Sequence, residues 1–173
     1  MTASRPLALD PLPPETRRID GRVAFQDAVR EALELLAQRG DPDVVLCDAD
    51  FADWPLGERR VITALEQWAT SRRRLRVLAR HYDEVVRRHP RWVAWRRTWA
   101  HVVECRVLPE GEAGPLPTVL LAASGPLTLR LHDPERFRGT WSTEPRDATE
   151  ASELLDLLHP YTSEAFPATT LGL

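Results

Sequence analysis

The residues in this chain that could do chemistry fall into a few groups. Asp48, Asp50 and Asp53 follow the aliphatic run Asp43–Cys47. In open α/β sheets ligands gather beyond the carboxyl ends of strands, so carboxylates there form a candidate polar site. The same residue type also builds turns and caps helices, which is the competing structural role. A second group is Arg87-Arg88-His89-Pro90-Arg91-Trp92-Val93-Ala94-Trp95-Arg96-Arg97-Thr98-Trp99. Guanidinium groups interleaved with indoles suit contact with phosphates and stacking on unpaired bases. Trp92, Trp95 and Trp99 stand at i, i+3 and i+7, however, and therefore share one helix face, as core residues or an interface would. Among the histidines, His81 falls just after a strand, where catalytic groups often sit, whereas His89 and His159 precede prolines and read as helix terminators. The candidate binding residues for an anion or partner are Arg80, His81, Arg88, Arg91, Arg96 and Arg97.

All 23 basic residues are arginine. Schiff-base chemistry and the phosphate lysine of a P-loop are therefore excluded. No HExxH, GxSxG, GxGxxG or Walker sequence occurs, so the sequence assigns no catalytic residue, no cofactor and no metal site. Cys47 and Cys105 lack CxxC spacing and sit in apolar runs, as small core residues do. Net charge is −3, but it is unevenly spread. From Glu58 to Arg106 there are 13 arginines and five acids, a balance of +8, while the remainder holds 10 arginines and 21 acids, a balance of −11. Such segregation is the strongest functional signal in the chain. Its bland counterpart is that the acidic part folds back over the basic one.

These groups need elements to hold them. Residues 1–18 are proline-rich and without period, and are expected to form an arm; 19–173 are expected to form a single α/β domain. Val23, Ala28, Val29, Ala32, Leu33 and Leu36 follow a helical period that ends at Gly40. Strands are expected at 43–47, 74–80 and 102–108, with helices at 58–71 and 82–101 between them, the latter broken at His89-Pro90. A loop at 109–117 leads to strands at 118–123, 127–132 and 137–143. A last helix starts with the box Asp147-Ala-Thr-Glu150 and carries Leu154, Leu155, Leu157 and Leu158 as its stripe. The fold class is α/β: parallel strands from alternating β-α units, plus C-terminal antiparallel strands, in one mixed sheet covered by helices. Apolar residues make up 43 % of the chain and charged residues 28 %. The longest aliphatic stretches are far below the ~20 residues that cross a bilayer, and Met1–Asp10 lacks the pattern of a signal peptide. A cytoplasmic location without membrane contact is the expectation.

Asp43-Val-Val-Leu-Cys-Asp48, Arg74-Leu-Arg-Val-Leu-Ala-Arg80 and Val102-Val-Glu-Cys-Arg106, followed by a glycine-rich break and the strand pair from Thr118, resemble one half-domain of the phospholipase D-like fold. The resemblance spans about Val44 to His159. Enzymes of that fold carry HxK followed by an Asp; the nearest fragment here is His89-Pro-Arg91, without a lysine and with Arg96 where an acid would stand. The resemblance thus implies the fold without its active site, and a single half that pairs with itself as a homodimer. Asp48-Ala-Asp50 also resembles the opening DxD of haloacid-dehalogenase-like phosphatases, in which one Asp attacks and the next serves as acid and base. Here Phe51-Ala52 follows, and no later acidic pair or lysine completes the pattern. Finally, Asp48-Ala-Asp50-Phe-Ala-Asp53-Trp-Pro-Leu-Gly57, His89-Pro-Arg-Trp-Val-Ala-Trp-Arg96 and Phe166-Pro-Ala-Thr-Thr-Leu-Gly-Leu173 are similar to a group of bacterial proteins with no assigned function.

The leading expectation is a non-catalytic binding or scaffolding domain with an arginine-rich surface for a protein or phosphate-bearing partner. One alternative is a metal-dependent phosphoryl or phosphodiester hydrolase using Asp48, Asp50 and His81, which requires these side chains to converge. The other is nucleic-acid binding through the basic segment, which requires affinity to fall steeply with salt.

Overall fold

The computed structural model describes residues 9–70 and 72–166. The elements are β1 (Thr16–Asp20), α1 (Arg22–Arg39), β2 (Asp43–Cys47), α2 (Arg59–Trp68), β3 (Arg74–Ala79), α3 (Asp83–Arg88), α4 (Pro90–Thr98), β4 (Val103–Val107), β5 (Thr118–Ala122), β6 (Leu127–Asp133), β7 (Arg138–Ser142), α5 (Pro145–Leu158) and β8 (Ser163–Glu164). The strands form one mixed sheet in the order β1-β7-β6-β5-β2-β3-β4-β8. β2, β3 and β4 are parallel neighbours, and β5 pairs antiparallel with β2. From β5 outward, β6, β7 and β1 continue antiparallel.

Alternation along the central strands divides the core in two. Val44, Leu46, Val77 and Cys105 face the layer of α1, α2 and α4, while Val45, Cys47, Leu78 and Leu121 face α5. Strands covered on both faces read as continuous apolar runs, which is why β2 is legible as DVVLC. The period of α1 buries Phe25, Val29, Ala32, Leu33 and Leu36 on the sheet. Gly40 then ends the helix in the left-handed region at φ 70°, and its N–H donates to the Leu36 carbonyl at 2.8 Å. Pro90 sets the first turn of α4, and Trp92 and Trp95 sink into the core at 0 % and 4 % exposure. Cys47 and Cys105 are buried free thiols on β2 and β4.

Several boundaries differ from the sequence reading. Residues 16–18, read as the end of an arm, belong to β1, whose register pairs Thr16 with Ser142 and Asp20 with Arg138. Its sequence TRRID lacks an alternating apolar pattern, because only Ile19 is buried on this edge strand. β8 is two residues long and escapes any periodicity argument. α5 starts two residues ahead of the proposed box, with Pro145 in its first turn and no side-chain cap at Glu144. Asp147 instead accepts a hydrogen bond from Ser142 Oγ. The expectations on 1–8 and 167–173 lie outside the described residues. No described helix is long and apolar enough to cross a membrane.

Candidate functional site

The carboxyl end of β2 turns sharply. The Asp48 carboxylate accepts hydrogen bonds from the backbone N–H of Phe51 at 2.8 Å and of Asp50 at 3.3 Å, and from Thr118 Oγ1 at 2.5 Å. These bonds hold Phe51 at φ 57°, a left-handed conformation, with its ring fully buried. Burial pushes the Asp48 carboxyl above its ordinary pKa, and the Thr118 hydroxyl and the two N–H groups oppose that. Asp50 Oδ1 accepts from the Ala52 N–H at 2.9 Å, and Asp53 pairs with Arg22 at 3.0 Å. All three aspartates line one cleft with Thr118 and Glu135, yet each is engaged by its own surroundings. Among the described residues no group of His, Cys, Asp or Glu is arranged to hold a metal ion.

Arg80 and His81, at the end of β3, are not in that cleft. The Arg80 guanidinium donates to the carbonyls of Pro109 at 2.7 Å, Glu112 at 3.2 Å, Gly114 and Leu108. His81 Nε2 lies 2.9 Å from Glu110 Oε1. The loop 109–117 is therefore pinned across the ends of β3 and β4 by the very side chains that the sequence offers to a ligand. With His81 paired to Glu110 and absent from the lining of the Asp48–Asp50 cleft, the arrangement lends no support to a hydrolase built on the three.

The arginines of α3 and α4 separate into two kinds. Arg96, expected on the exposed face, is 5 % exposed and donates from Nε to Cys105 Sγ at 3.2 Å. The helix itself explains this: Arg96 stands four residues after Trp92 and so shares its buried stripe. Arg87, Arg88, Arg91 and Arg97 are exposed. Arg87 and Arg88 share the single carboxylate of Glu84, which they hold below its usual range. Arg91 donates from Nη1 to the Gly57 carbonyl at 3.1 Å, which ties α4 to the start of α2. Arg59, outside the sequence candidates, begins α2 at that same junction and is exposed.

Charge segregation survives folding. Cross-segment pairs do form: Arg30 with Glu58, Arg60 with Glu34, and Arg76 with Asp43. Among the described residues, however, eight arginines make no ion pair: Arg59, Arg72, Arg73, Arg80, Arg91, Arg96, Arg97 and Arg130. Seven of the eight lie between Glu58 and Arg106. Glu66 and Asp83 are the exposed acids without an ion pair on the same helices, so they offset part of this charge. Net positive charge on α2–α4 is a property of the folded surface.

No protein-family model matches the chain, and no curated protein matches it. Among solved structures, NucT from Helicobacter pylori aligns over 88 % of this chain and 100 % of its own, with a TM-score of 0.60 and 7 % identity. TrmBL2, an archaeal chromatin protein whose structure shows a novel mode of DNA binding, aligns over 87 % of this chain with a TM-score of 0.59 and 14 % identity. This chain spans only 54 % of TrmBL2. At such identities the likeness is one of fold, and the mixed α/β sheet described above is what this chain has in common with both.

Proposed function

We propose that this chain is a nucleic-acid-binding domain without a catalytic site, which holds the phosphate backbone on the exposed arginines of α2, α3 and α4. The observation that carries the reading is that Arg59, Arg91 and Arg97 on these helices are exposed and make no ion pair, while Arg87 and Arg88 share a single carboxylate. Guanidinium groups bind phosphate oxygens through a planar fork of donors, and uncompensated clusters of them are the usual electrostatic footprint of a nucleic-acid surface. Arg88, Arg91 and Arg97, with Arg59 and Arg87, are the assigned contacts. Arg80 and Arg96 serve the fold. The DNA binding reported for TrmBL2 lends support from a protein of similar fold. The layout is, in this reading, a phospholipase D-like half-domain that has no histidine–lysine pair, and a homodimer carrying two arginine faces is the corresponding arrangement.

The test is fluorescence anisotropy of a short labelled DNA duplex at low salt, with the wild-type chain and with Arg59→Glu/Arg97→Glu. Both side chains are exposed and outside ion pairs, so the fold is expected to tolerate the change. Reversal of two phosphate contacts should weaken binding by roughly tenfold or more. Unchanged affinity in the double variant, with an unchanged circular dichroism spectrum, removes the proposal.

A further inference from the structure

The aromatic side chains say which form of nucleic acid the arginine face fits. Binding of unpaired bases relies on exposed rings on which the bases stack, each worth about 5- to 150-fold in affinity. The indoles that alternate with arginine in the sequence are turned inward. Trp54, Trp68, Trp92, Trp95 and Trp141 are between 0 % and 4 % exposed, and Trp99 is half-buried beside His101. Tyr82 spends its hydroxyl on the carbonyls of Val77 and Arg106, and its ring stacks on Phe166 at 5.0 Å. Tyr161 is the one large aromatic among the described residues that is well exposed, at 53 %, and it follows α5 on the opposite side of the sheet.

What α2, α3 and α4 present is charge without rings. They carry Arg59, Arg60, Arg87, Arg88, Arg91, Arg96 and Arg97 against Glu66, Asp83 and Glu84. Arg60 is taken by Glu34 of α1, and Arg96 is buried. The backbone before α2 packs on the α3–α4 junction, where a Cβ on Gly57 would stand 3.0 Å from the His89 Cα and 3.3 Å from the Arg88 carbonyl; Arg59, Arg88 and Arg91 each lie within two residues of that contact in the chain. Arg97 lies six residues further along α4 than Arg91, which is about 9 Å along the helix axis. A duplex offers one phosphate charge per ~1.7 Å of its axis, so several of its charges fall within that span. A flexible single strand loses more order on being held and gains no stacking here.

Resting on the nucleic-acid reading above, we infer that the ligand is a duplex, gripped through its backbone, and that single strands are the poorer ligand. The experiment is competition at low salt: a labelled DNA duplex bound to the full chain is displaced by the same duplex unlabelled, or by one of its strands alone. Tryptophan emission is followed as each unlabelled competitor is added. The duplex should compete better by about tenfold or more, and saturation with single strand should leave the buried indoles' emission unchanged. Equal or better competition by the single strand, or quenching of tryptophan by it, overturns the duplex inference and leaves the nucleic-acid reading standing. Failure of the labelled duplex and of a labelled single strand to bind at all overturns both.

Discussion

Replacement of Asp41 by asparagine should make the protein more stable at neutral pH. Asp41 is 0 % exposed, in the link between α1 and β2. Its backbone carbonyl accepts a hydrogen bond from Trp68 Nε1 at 2.7 Å, but neither carboxylate oxygen has a hydrogen-bond partner. Arg39 Nε stands 3.6 Å away, and burial outweighs the pull of Arg39 and Arg73, so the carboxyl pKa is pushed up from 3.8 to about 6. The folded protein thus holds this proton more tightly than the unfolded chain does. Stability conferred by the protonated group is complete below the unfolded value and is lost as pH rises from about 4 to about 6. Two pKa units correspond to about 3 kcal/mol. Asparagine keeps the shape and removes the charge, so Asp41→Asn should match the wild type near pH 4 and exceed it by about 2–3 kcal/mol at pH 7. Urea unfolding followed by tryptophan fluorescence across that range measures both. The difference between the two proteins isolates Asp41 from Glu34, Glu58, Glu84 and Glu104, whose lowered pKa values act in the opposite sense. A difference that does not vary with pH, or a variant less stable at pH 7, refutes the reasoning.

Gly139→Ala places a Cβ 2.0 Å from the Arg130 carbonyl oxygen and 2.7 Å from the Leu131 Cα, both backbone, so β7 must part from β6. A loss of about 2–3 kcal/mol in urea unfolding is expected, and a loss below half of that would contradict the close approach. Arg80→Ala removes the donors that pin the loop 109–117, so limited proteolysis within that loop should accelerate by about tenfold, the effect of losing charged hydrogen bonds at a partly exposed site. An unchanged cleavage rate would show that the loop is held by other means. Burial pushes the Cys47 and Cys105 thiols above their ordinary pKa. Neither should react with a thiol reagent until urea unfolds the chain, and prompt labelling of the native protein would contradict their burial.

The parts of the fold that were legible are those in which one principle dominates. β2 is an aliphatic run that only a doubly covered strand explains, β3 and β4 carry apolar residues at alternate positions, and α1 announces itself by period and by Gly40. β1 was hidden because an edge strand with one buried residue has no pattern to read. The start of α5 was misplaced because Asp147 and Glu150 mimic a capping box, whereas Asp147 bonds to Ser142 on the neighbouring strand. At the site, the burial of Trp92 and Trp95 follows from helical spacing, and the same wheel places Arg96 inside beside Trp92; the charge of Arg96 obscured this. The occupation of Arg80 by four carbonyls depends on a loop about 30 residues further along the chain, and no local pattern encodes it. Likewise, the engagement of Asp48 by Thr118 arises only when β5 pairs with β2.

The salt dependence of duplex affinity tests the central claim most directly. Arg59, Arg91, Arg97 and one of the two arginines that share Glu84 amount to about four phosphate contacts, which gives a slope of log affinity against log salt near −3.6. Affinity for a short DNA duplex should then fall by about 150-fold between 50 and 200 mM monovalent salt. A slope near zero, or no duplex binding at 50 mM salt, would contradict a phosphate-binding role for the arginine face.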